Sequence, residues 1–352
     1  MKRRDWLAGI AATLTAAAAP ALPPNVPSSA PCLARGRVRW LVGWSAGGGY
    51  DAFSRLLEPY LEDALGVEIV IDNIPGAAGR IAALTLARAR PDGRTLGILD
   101  GSGLLWGAAM QERNAVDVSR DFTILARLGG RQVVLAAGPR SRVTSLADLQ
   151  GLARRRRVAF ASTGPGSVNF VTTAVVTHIL GIDADFLVGY PGSREVALAV
   201  MRGDIDATVL DGETLAGMFG KDGLVPILSL GKEQAPYVPL DSVPRLTGDG
   251  GVVARMAKRS DTSAMEIAAA LDAFLDLGRL VAAPRLQPQL AACLRQSTWA
   301  AVNDPRFHAA AERAGRSLDL VPGERVAAVI TASRAATQRL QPIAAAAARR
   351  AR

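Results

Sequence analysis

The segment V-G-W-S-A-G-G-G-Y-D, residues 42–51, joins a strand pattern at 37–42 to a helical pattern at 51–65. A glycine-rich turn between strand and helix lets the backbone approach a ligand closely. The N–H groups at the start of the helix then favour carboxylate or phosphate. The same segment contains Gly43-Trp44-Ser45-Ala46-Gly47, which fits the G-x-S-x-G pattern of serine hydrolases. The segment therefore allows two hypotheses, an anion cradle and a nucleophile at Ser45.

Strands and helices continue to alternate after this segment. Strand patterns at 67–71 and 95–99 flank a helical pattern at 81–90, an order that predicts a parallel sheet covered by helices. A second series of alternating elements runs from 132 to 210, and the chain beyond about 250 is rich in helical patterns. Two α/β units predict two lobes with a ligand cleft between them. We predict lobe 1 at 37–127 and 246–352, and lobe 2 at 128–245.

Composition narrows the class of protein. Hydrophobic residues make up 49% of the 352-residue chain, which is enough for two buried cores. The aromatic share of 5% argues against base-stacking surfaces, so we expect no nucleic-acid partner. The formal net charge of +9 suits an anionic ligand or an anionic membrane surface. The sequence has no cysteine–histidine cluster, nucleotide fingerprint or Walker lysine, and we predict neither a metal nor a cofactor.

The N-terminus has the pattern of an export signal. Residues 1–21 combine a basic, twin-arginine-like head with an apolar run and an A-x-A cleavage site, and we predict a cleaved leader and a periplasmic protein. The alternative, a buried N-terminal helix, conflicts with the prolines of the predicted linker at 22–36. Export would allow Cys32 and Cys293 to form a disulfide, but the sequence leaves their pairing open.

Three further turns rich in Gly or Ser follow predicted strands. They lie at 101–103 (GSG), 162–167 (STGPGS) and 190–193 (YPGS). Ligands of parallel sheets bind beyond the carboxyl ends of the strands, so the four turns together predict one shared anion site.

Two observations argue against the hydrolase hypothesis: the position of Ser45 in the chain, and the absence of a clear catalytic base. A hydrolase elbow follows several strands, whereas Ser45 follows the first predicted strand. The two histidines, His178 and His308, have no clear acid partner in sequence. We therefore favour the anion cradle and keep an exported serine hydrolase as the alternative.

The motifs of this chain also occur in the same order in a known family. The segments are 42–51, 73–79 (NIPGAAG), 91–96 (PDGRTL), 121–123 (DFT), 162–167, 190–193 and 203–206 (GDID). In this respect the chain resembles the substrate-binding receptors of tripartite tricarboxylate transporters, called Bug receptors. The resemblance implies a type II periplasmic binding-protein fold, with two α/β lobes joined by a hinge and the ligand cleft between them.

The resemblance also implies a function. The protein would be a monomer that captures a small organic anion, held mostly by backbone amides, hydroxyls and water. It would deliver this ligand to the membrane subunits of a secondary transporter without making or breaking a bond. A ligand sensor for a membrane-bound kinase remains an alternative, since the sequence does not separate the two roles.

The candidate ligand-binding residues come from the four turns and their neighbours. They are Trp44, Ser45, Ala46, Gly47, Gly48, Gly49, Tyr50, Asp51, Gly101, Ser102, Gly103, Ser162, Thr163, Gly166, Ser167, Phe170, Tyr190, Pro191, Gly192 and Asp211. Trp44, Tyr50 and Phe170 depart from the family pattern, and they either narrow the pocket or pack outside it. Asp51 is either the N-cap of the helix at 51–65 or a ligand contact. Asp211 is either an acid that faces the cleft or a turn residue.

Overall fold

A computed structural model describes residues 32–110, 115–231, 243–257 and 262–352. The predicted leader at 1–21 and residues 22–31 of the predicted linker lie outside these ranges. Within them, no helix combines the length and apolar character needed to cross a membrane.

Strands and helices alternate along most of the described chain. The strands are β1 (Arg37–Val42), β2 (Glu68–Asn73), β3 (Thr95–Asp100), β4 (Phe122–Gly129), β5 (Val133–Ala137), β6 (Val158–Ala161), β7 (Ala184–Leu187), β8 (Ala207–Asp211), β9 (Val225–Leu230), β10 (Arg279–Pro284) and β11 (Val321–Pro322). The helices are α1 (Gly49–Leu65), α2 (Arg80–Ala87), α3 (Gly101–Ala109), α4 (Leu146–Ala153), α5 (Val168–Ile179), α6 (Ser193–Arg202), α7 (Gly212–Leu215), α8 (Val252–Ala257), α9 (Thr262–Asp276), α10 (Pro288–Val302), α11 (Pro305–Arg313) and α12 (Val326–Ala348).

The first sheet has six strands in the order β11-β4-β10-β3-β1-β2. β1 pairs in parallel with β2 and β3, as the sequence predicts, whereas β10 runs antiparallel between β3 and β4. Alternate residues of β1 enter different cores: Val38 and Trp40 pack with Phe53 of α1, and Leu41 packs with Leu86 of α2. The sheet is therefore covered on both faces, as its parallel strands require.

The second sheet has five strands in the order β7-β6-β8-β5-β9. β6 is parallel to β7 and β8, and β5 is antiparallel to both β8 and β9. Two sheets with covering helices confirm the predicted two-unit α/β class. The strands that run against the others are β10 and β11 in the first sheet and β5 in the second.

The C-terminal part of the chain contributes to both sheets. Val326 and Ile330 of α12 pack with the first sheet, whereas Leu340 and Ala344 pack in the core of the second, together with residues of α5 and α9. The backbone N–H of Arg352 donates to the Phe186 carbonyl of β7 at 2.9 Å. The predicted lobe bounds, with all of 246–352 in lobe 1, stay a prediction.

A disulfide joins Cys32 to Cys293, with the two Cα atoms 5.6 Å apart. It ties the first described residue to α10 and closes a loop over a sequence separation of 261 residues. The pairing that the sequence leaves open is thus present in the structure.

Candidate ligand site between the two sheets

The carboxyl edges of the two sheets meet at a short crossover, residues 130–132, between β4 and β5. In the first sheet Arg279 pairs with both Asp100 and Gly129, the last residues of β3 and β4. In the second sheet Val133, the first residue of β5, pairs with Asp211, the last residue of β8. Side chains from both sheets therefore converge beside the crossover.

Arg131 lies in the crossover and links the two sheets. Its Nη1 donates to Asp100 Oδ2 at 2.6 Å, and its Nε donates to Asp211 Oδ1 at 2.9 Å, with Nη2 also bonded to Asp211. The side chain is only 7% exposed. Asp100 also accepts the Gly103 N–H as the N-cap of α3. One buried arginine therefore holds an acid from each sheet.

A second ion pair crosses the same interface. Glu213 of α7 accepts from Arg279 Nη2 at 2.6 Å and from Arg316 Nη1. We call Asp100, Arg131, Asp211, Glu213, Arg279 and Arg316 the intersheet cluster. It contains three cations and three carboxylates, so its formal charges balance.

The surroundings keep Asp211 and Arg131 ionised. Burial raises the pKa of Asp211, but neighbouring arginine charges, that of Arg131 first, outweigh burial and hold this pKa below its usual value. Burial lowers the pKa of Arg131, but the charges of Asp100 and Asp211 raise it well above its usual value. Such opposed effects are typical of a buried pair whose partners compensate each other.

Two aromatic rings border the cluster. Trp44 stacks on Tyr50 with ring centroids 3.8 Å apart, and the Arg279 guanidinium lies 5.5 Å from the centroid of the Tyr50 ring. Burial and the charge of Asp100 raise the pKa of Tyr50, so its hydroxyl stays neutral. Tyr50 Oη and Arg279 Nε are buried and have no hydrogen-bond partner among the described residues.

The turn at 45–49 is held by Asp51. Asp51 Oδ2 accepts the Gly47 N–H at 2.8 Å, and Oδ1 accepts from Asn73 Nδ2 at 3.0 Å. Asn73 Nδ2 also donates to the Trp44 carbonyl, and Arg55 pairs with Asp51. The N-cap of α1 is Gly48, so the N-cap interpretation of Asp51 is wrong. Asp51 instead fixes the turn, whose residues Ser45, Ala46 and Gly47 are exposed.

The turn at 101–103 is occupied by contacts within the protein. Ser102 is fully buried, and its Oγ donates to the Phe274 carbonyl at 2.6 Å. The Gly101 N–H donates to the Gly278 carbonyl at 2.9 Å, and a Cβ on Gly101 would lie 2.6 Å from Leu277. These contacts give Gly101 and Ser102 a packing role. The Gly103 N–H donates to Asp100, the N-cap of α3.

The turn at 162–167 has one unoccupied hydroxyl. Ser167 caps α5 by accepting the Phe170 N–H, whereas Ser162 Oγ is buried without a partner among the described residues. Thr163 and Gly166 are partly exposed. Phe170 has no exposed surface and packs on Phe186 at 5.5 Å, which places it in the core of the second sheet rather than on a surface that a ligand could reach.

Contacts connect the turns of one sheet with those of the other. Trp106 Nε1 of α3 donates to the Pro165 carbonyl at 3.1 Å, and a cavity of about 10 Å³ lies between α3 and Gly166, room for about one water. A Cβ on Gly49 would lie 3.8 Å from the Glu213 carboxylate.

The fourth turn joins the third. Asn169 Nδ2 bonds Ser193 Oγ at 3.0 Å, next to Gly192, the N-cap of α6. Tyr190 is partly buried against the second sheet, and Pro191 is exposed. The fourth turn therefore lies beside the start of α5, which follows the third turn.

Sequence reasoning missed five residues of the intersheet cluster and found only Asp211. The missed residues are Asp100, Arg131, Glu213, Arg279 and Arg316. A usable signal was present, because Asp100 directly follows a predicted apolar strand and Arg131 directly precedes one. Charged residues at such positions lie at sheet edges, where ligand sites form.

The comparisons with known proteins agree on a family. The family model described as tripartite tricarboxylate transporter family receptor matches residues 53–244. A UPF0065 protein of Bordetella bronchiseptica is 28% identical over 185 residues, which cover 53% of this chain and 55% of that relative. The chain thus spans about half the length of the curated relatives that it matches.

Solved structures share the fold at lower identity. One, from R. palustris and described with adipate, is 20% identical with a TM-score of 0.71, over 88% of this chain and 97% of that chain. MatC from Rhodopseudomonas palustris, described with bound malate, is 21% identical with a TM-score of 0.67, over 88% and 99%. These likenesses show a two-lobe type II periplasmic binding-protein fold, as the sequence predicts.

Proposed function

Because this chain belongs to the tripartite tricarboxylate transporter receptor family, we propose that it is a periplasmic receptor for a small carboxylate. It binds the carboxylate between its lobes and delivers it to the membrane subunits of a transporter. The proteins described with adipate and with malate support this class of ligand. The Cys32–Cys293 disulfide suits the oxidising compartment that the predicted leader implies.

The observation that supports the proposal is the set of contacts across the two sheets at the turns 45–49, 101–103 and 162–167 or at the helices that follow them. The start of α1 lies beside Glu213, and α3 contacts the turn that carries Ser162. Helix starts supply N–H donors, and the unpartnered Ser162 Oγ supplies another. A ligand that contacts both lobes stabilises the closed arrangement, which is the form that a membrane partner would recognise.

The described contacts give no support to the serine-hydrolase alternative. Ser45 is exposed, while His178 lies on the exposed side of α5. His308 bonds the Val302 carbonyl at 2.9 Å. The proposed function therefore requires no chemical step.

The test is thermal unfolding of the mature protein with a panel of mono-, di- and tricarboxylates, with neutral amides of the same shapes as controls. A ligand at 100 times its Kd should stabilise the protein by about 2.7 kcal/mol. Ser162→Ala should weaken that ligand by about fivefold, the effect of one hydrogen bond. Thr331→Ala, on the exposed side of α12, should leave its affinity unchanged. A panel in which no carboxylate raises the melting temperature would overturn the proposal.

A further inference from the structure

Two buried donors at the base of the intersheet region have no partner in the described part of the chain. They are Tyr50 Oη and Arg279 Nε. Tyr50 is 7% exposed and Arg279 is 5% exposed. Buried polar groups in native proteins are nearly always hydrogen-bonded, and leaving one unpaired costs about 1–3 kcal/mol. The two groups therefore point to a partner that comes from outside the chain.

The surroundings fix both groups in place. Tyr50 lies between the Trp44 ring on which it stacks and the Arg279 guanidinium. Arg279 is held by its ion pair with Glu213 of α7, the helix that follows β8 of the other sheet. Because the Tyr50 and Arg279 side chains cannot turn away without losing these contacts, both free donors are held in place at the edge of the first sheet.

The charges of the intersheet cluster limit which ligand group can bind to these two donors. Every arginine of the intersheet cluster already bonds a carboxylate of this chain. A carboxylate from the ligand would have to displace Asp100, Asp211 or Glu213, or remain unpaired in a buried site, and either is costly. A neutral oxygen acceptor has no such cost and matches an O–H and an N–H donor.

We propose that the ligand is a monocarboxylate with a neutral oxygen acceptor, a hydroxyl or keto group, at its far end. Tyr50 Oη and Arg279 Nε donate to this oxygen, while the glycine-rich turns hold the carboxylate. This inference rests on the proposed function, since it names the ligand class of the same site. A receptor built to hydrogen-bond such an oxygen discriminates strongly against analogues that lack it.

The experiment is isothermal titration calorimetry with two matched series. The six-carbon series is hexanoate, 6-hydroxyhexanoate and adipate. The four-carbon series is butanoate, 4-hydroxybutanoate and succinate. In at least one series the hydroxy acid should bind more tightly than the plain acid and the diacid. Tyr50→Phe should weaken the hydroxy acid about tenfold and leave the plain acid unchanged. The control is Tyr60→Phe, which removes a surface hydroxyl bonded to the Arg306 carbonyl and should change nothing.

The outcomes separate this inference from the proposed function. Tightest binding of a diacid, or of a hydroxy acid whose affinity Tyr50→Phe leaves intact, would overturn the inference and leave the carboxylate receptor standing. Failure of every carboxylate to bind would overturn both. The ligand-free protein provides an independent check, since Tyr50→Phe should not lower its melting temperature. A clear drop would mean that the hydroxyl is already satisfied, for instance by a buried water, and would also overturn the inference.

Discussion

Arg127 and Arg131 are both buried and both paired with two carboxylates, yet their surroundings differ. Arg127 donates from Nε to the Asp276 carbonyl at 2.6 Å, from Nη1 to Asp319 at 2.7 Å, and from Nη2 to the Asp276 carboxylate at 2.7 Å. Each of its nitrogens has a partner, and the side chain is 1% exposed. The Arg127 network is complete within the protein.

The intersheet cluster around Arg131 is incomplete. It balances in charge, but Tyr50 Oη and Arg279 Nε at its border lack partners among the described residues. Its carboxylates also come from different sheets, so the cluster holds together only while the two sheets are close. The difference teaches that a buried ion pair is not by itself a sign of function. What marks the site is the presence of buried donors without a partner among the described residues.

The largest expected effect is that of removing Arg127. Arg127→Met leaves the Asp276 and Asp319 carboxylates without their shared partner. The free energy of unfolding, measured with urea, should fall by about 3 kcal/mol. This is the lower end of the range for a broken buried ion pair, because the Asp319 side chain is half exposed. Carboxylate affinity of the folded variant should be unchanged. A loss below about 1 kcal/mol would show that the network does not stabilise the fold.

Removing Arg131 should act on shape more than on stability. Arg131→Met leaves Asp100 and Asp211 unpaired, but separation of the two sheets would hydrate both carboxylates. We expect a smaller loss of unfolding free energy, about 2 kcal/mol, with a larger radius of gyration by small-angle X-ray scattering. Arg127→Met is the matched control and should keep the wild-type radius. An unchanged radius in Arg131→Met would contradict the view that this cluster joins two separable bodies.

The fold can be predicted from the sequence because its signals are local. The predicted strand at 37–42 has the bounds of β1, and the predicted helix at 51–65 differs from α1 only at its start. The turns can be located because glycine and serine mark them directly. The contribution of α9 and α12 to the second core cannot be predicted, since an amphipathic pattern shows that a helix has a buried face but not which core receives it.

The intersheet cluster cannot be assembled from the sequence for a related reason. Arg131 and Asp211 are 80 residues apart, and their contact depends on the pairing of β5 with β8. Glu213 and Arg279 are 66 residues apart and meet only where the two sheets approach. Asp51 shows the same limit at short range, because α1 begins two residues earlier than predicted and Asp51 therefore lies inside the helix rather than at its cap.

Acid should weaken the intersheet cluster through Asp211. Its pKa is lowered in the folded protein, so its contribution to stability is complete above the unfolded value of about 3.9 and is lost as pH falls through the folded value. The difference in unfolding free energy between wild type and Asp211→Asn should therefore shrink as pH falls below about 3.9, by about 1.4 kcal/mol for each pH unit between the unfolded pKa and the folded one. A difference that does not change with pH would contradict the lowered pKa.

The smallest effect tests whether an unpaired buried group marks a ligand site wherever it occurs. Thr298 of α10 is fully buried, and its Oγ1 has no partner within the described chain, but α10 contributes no residue to the turns or the intersheet cluster. Thr298→Val keeps the shape and removes the unpaired hydroxyl, so the unfolding free energy should stay constant or rise by up to about 1 kcal/mol. In the ligand-free protein, Tyr50→Phe should likewise leave the unfolding free energy constant or slightly higher. Only Tyr50→Phe should weaken ligand binding. If Thr298→Val weakened binding as much, an unpaired hydroxyl at the sheet edges would carry no more information about the ligand than one in the core.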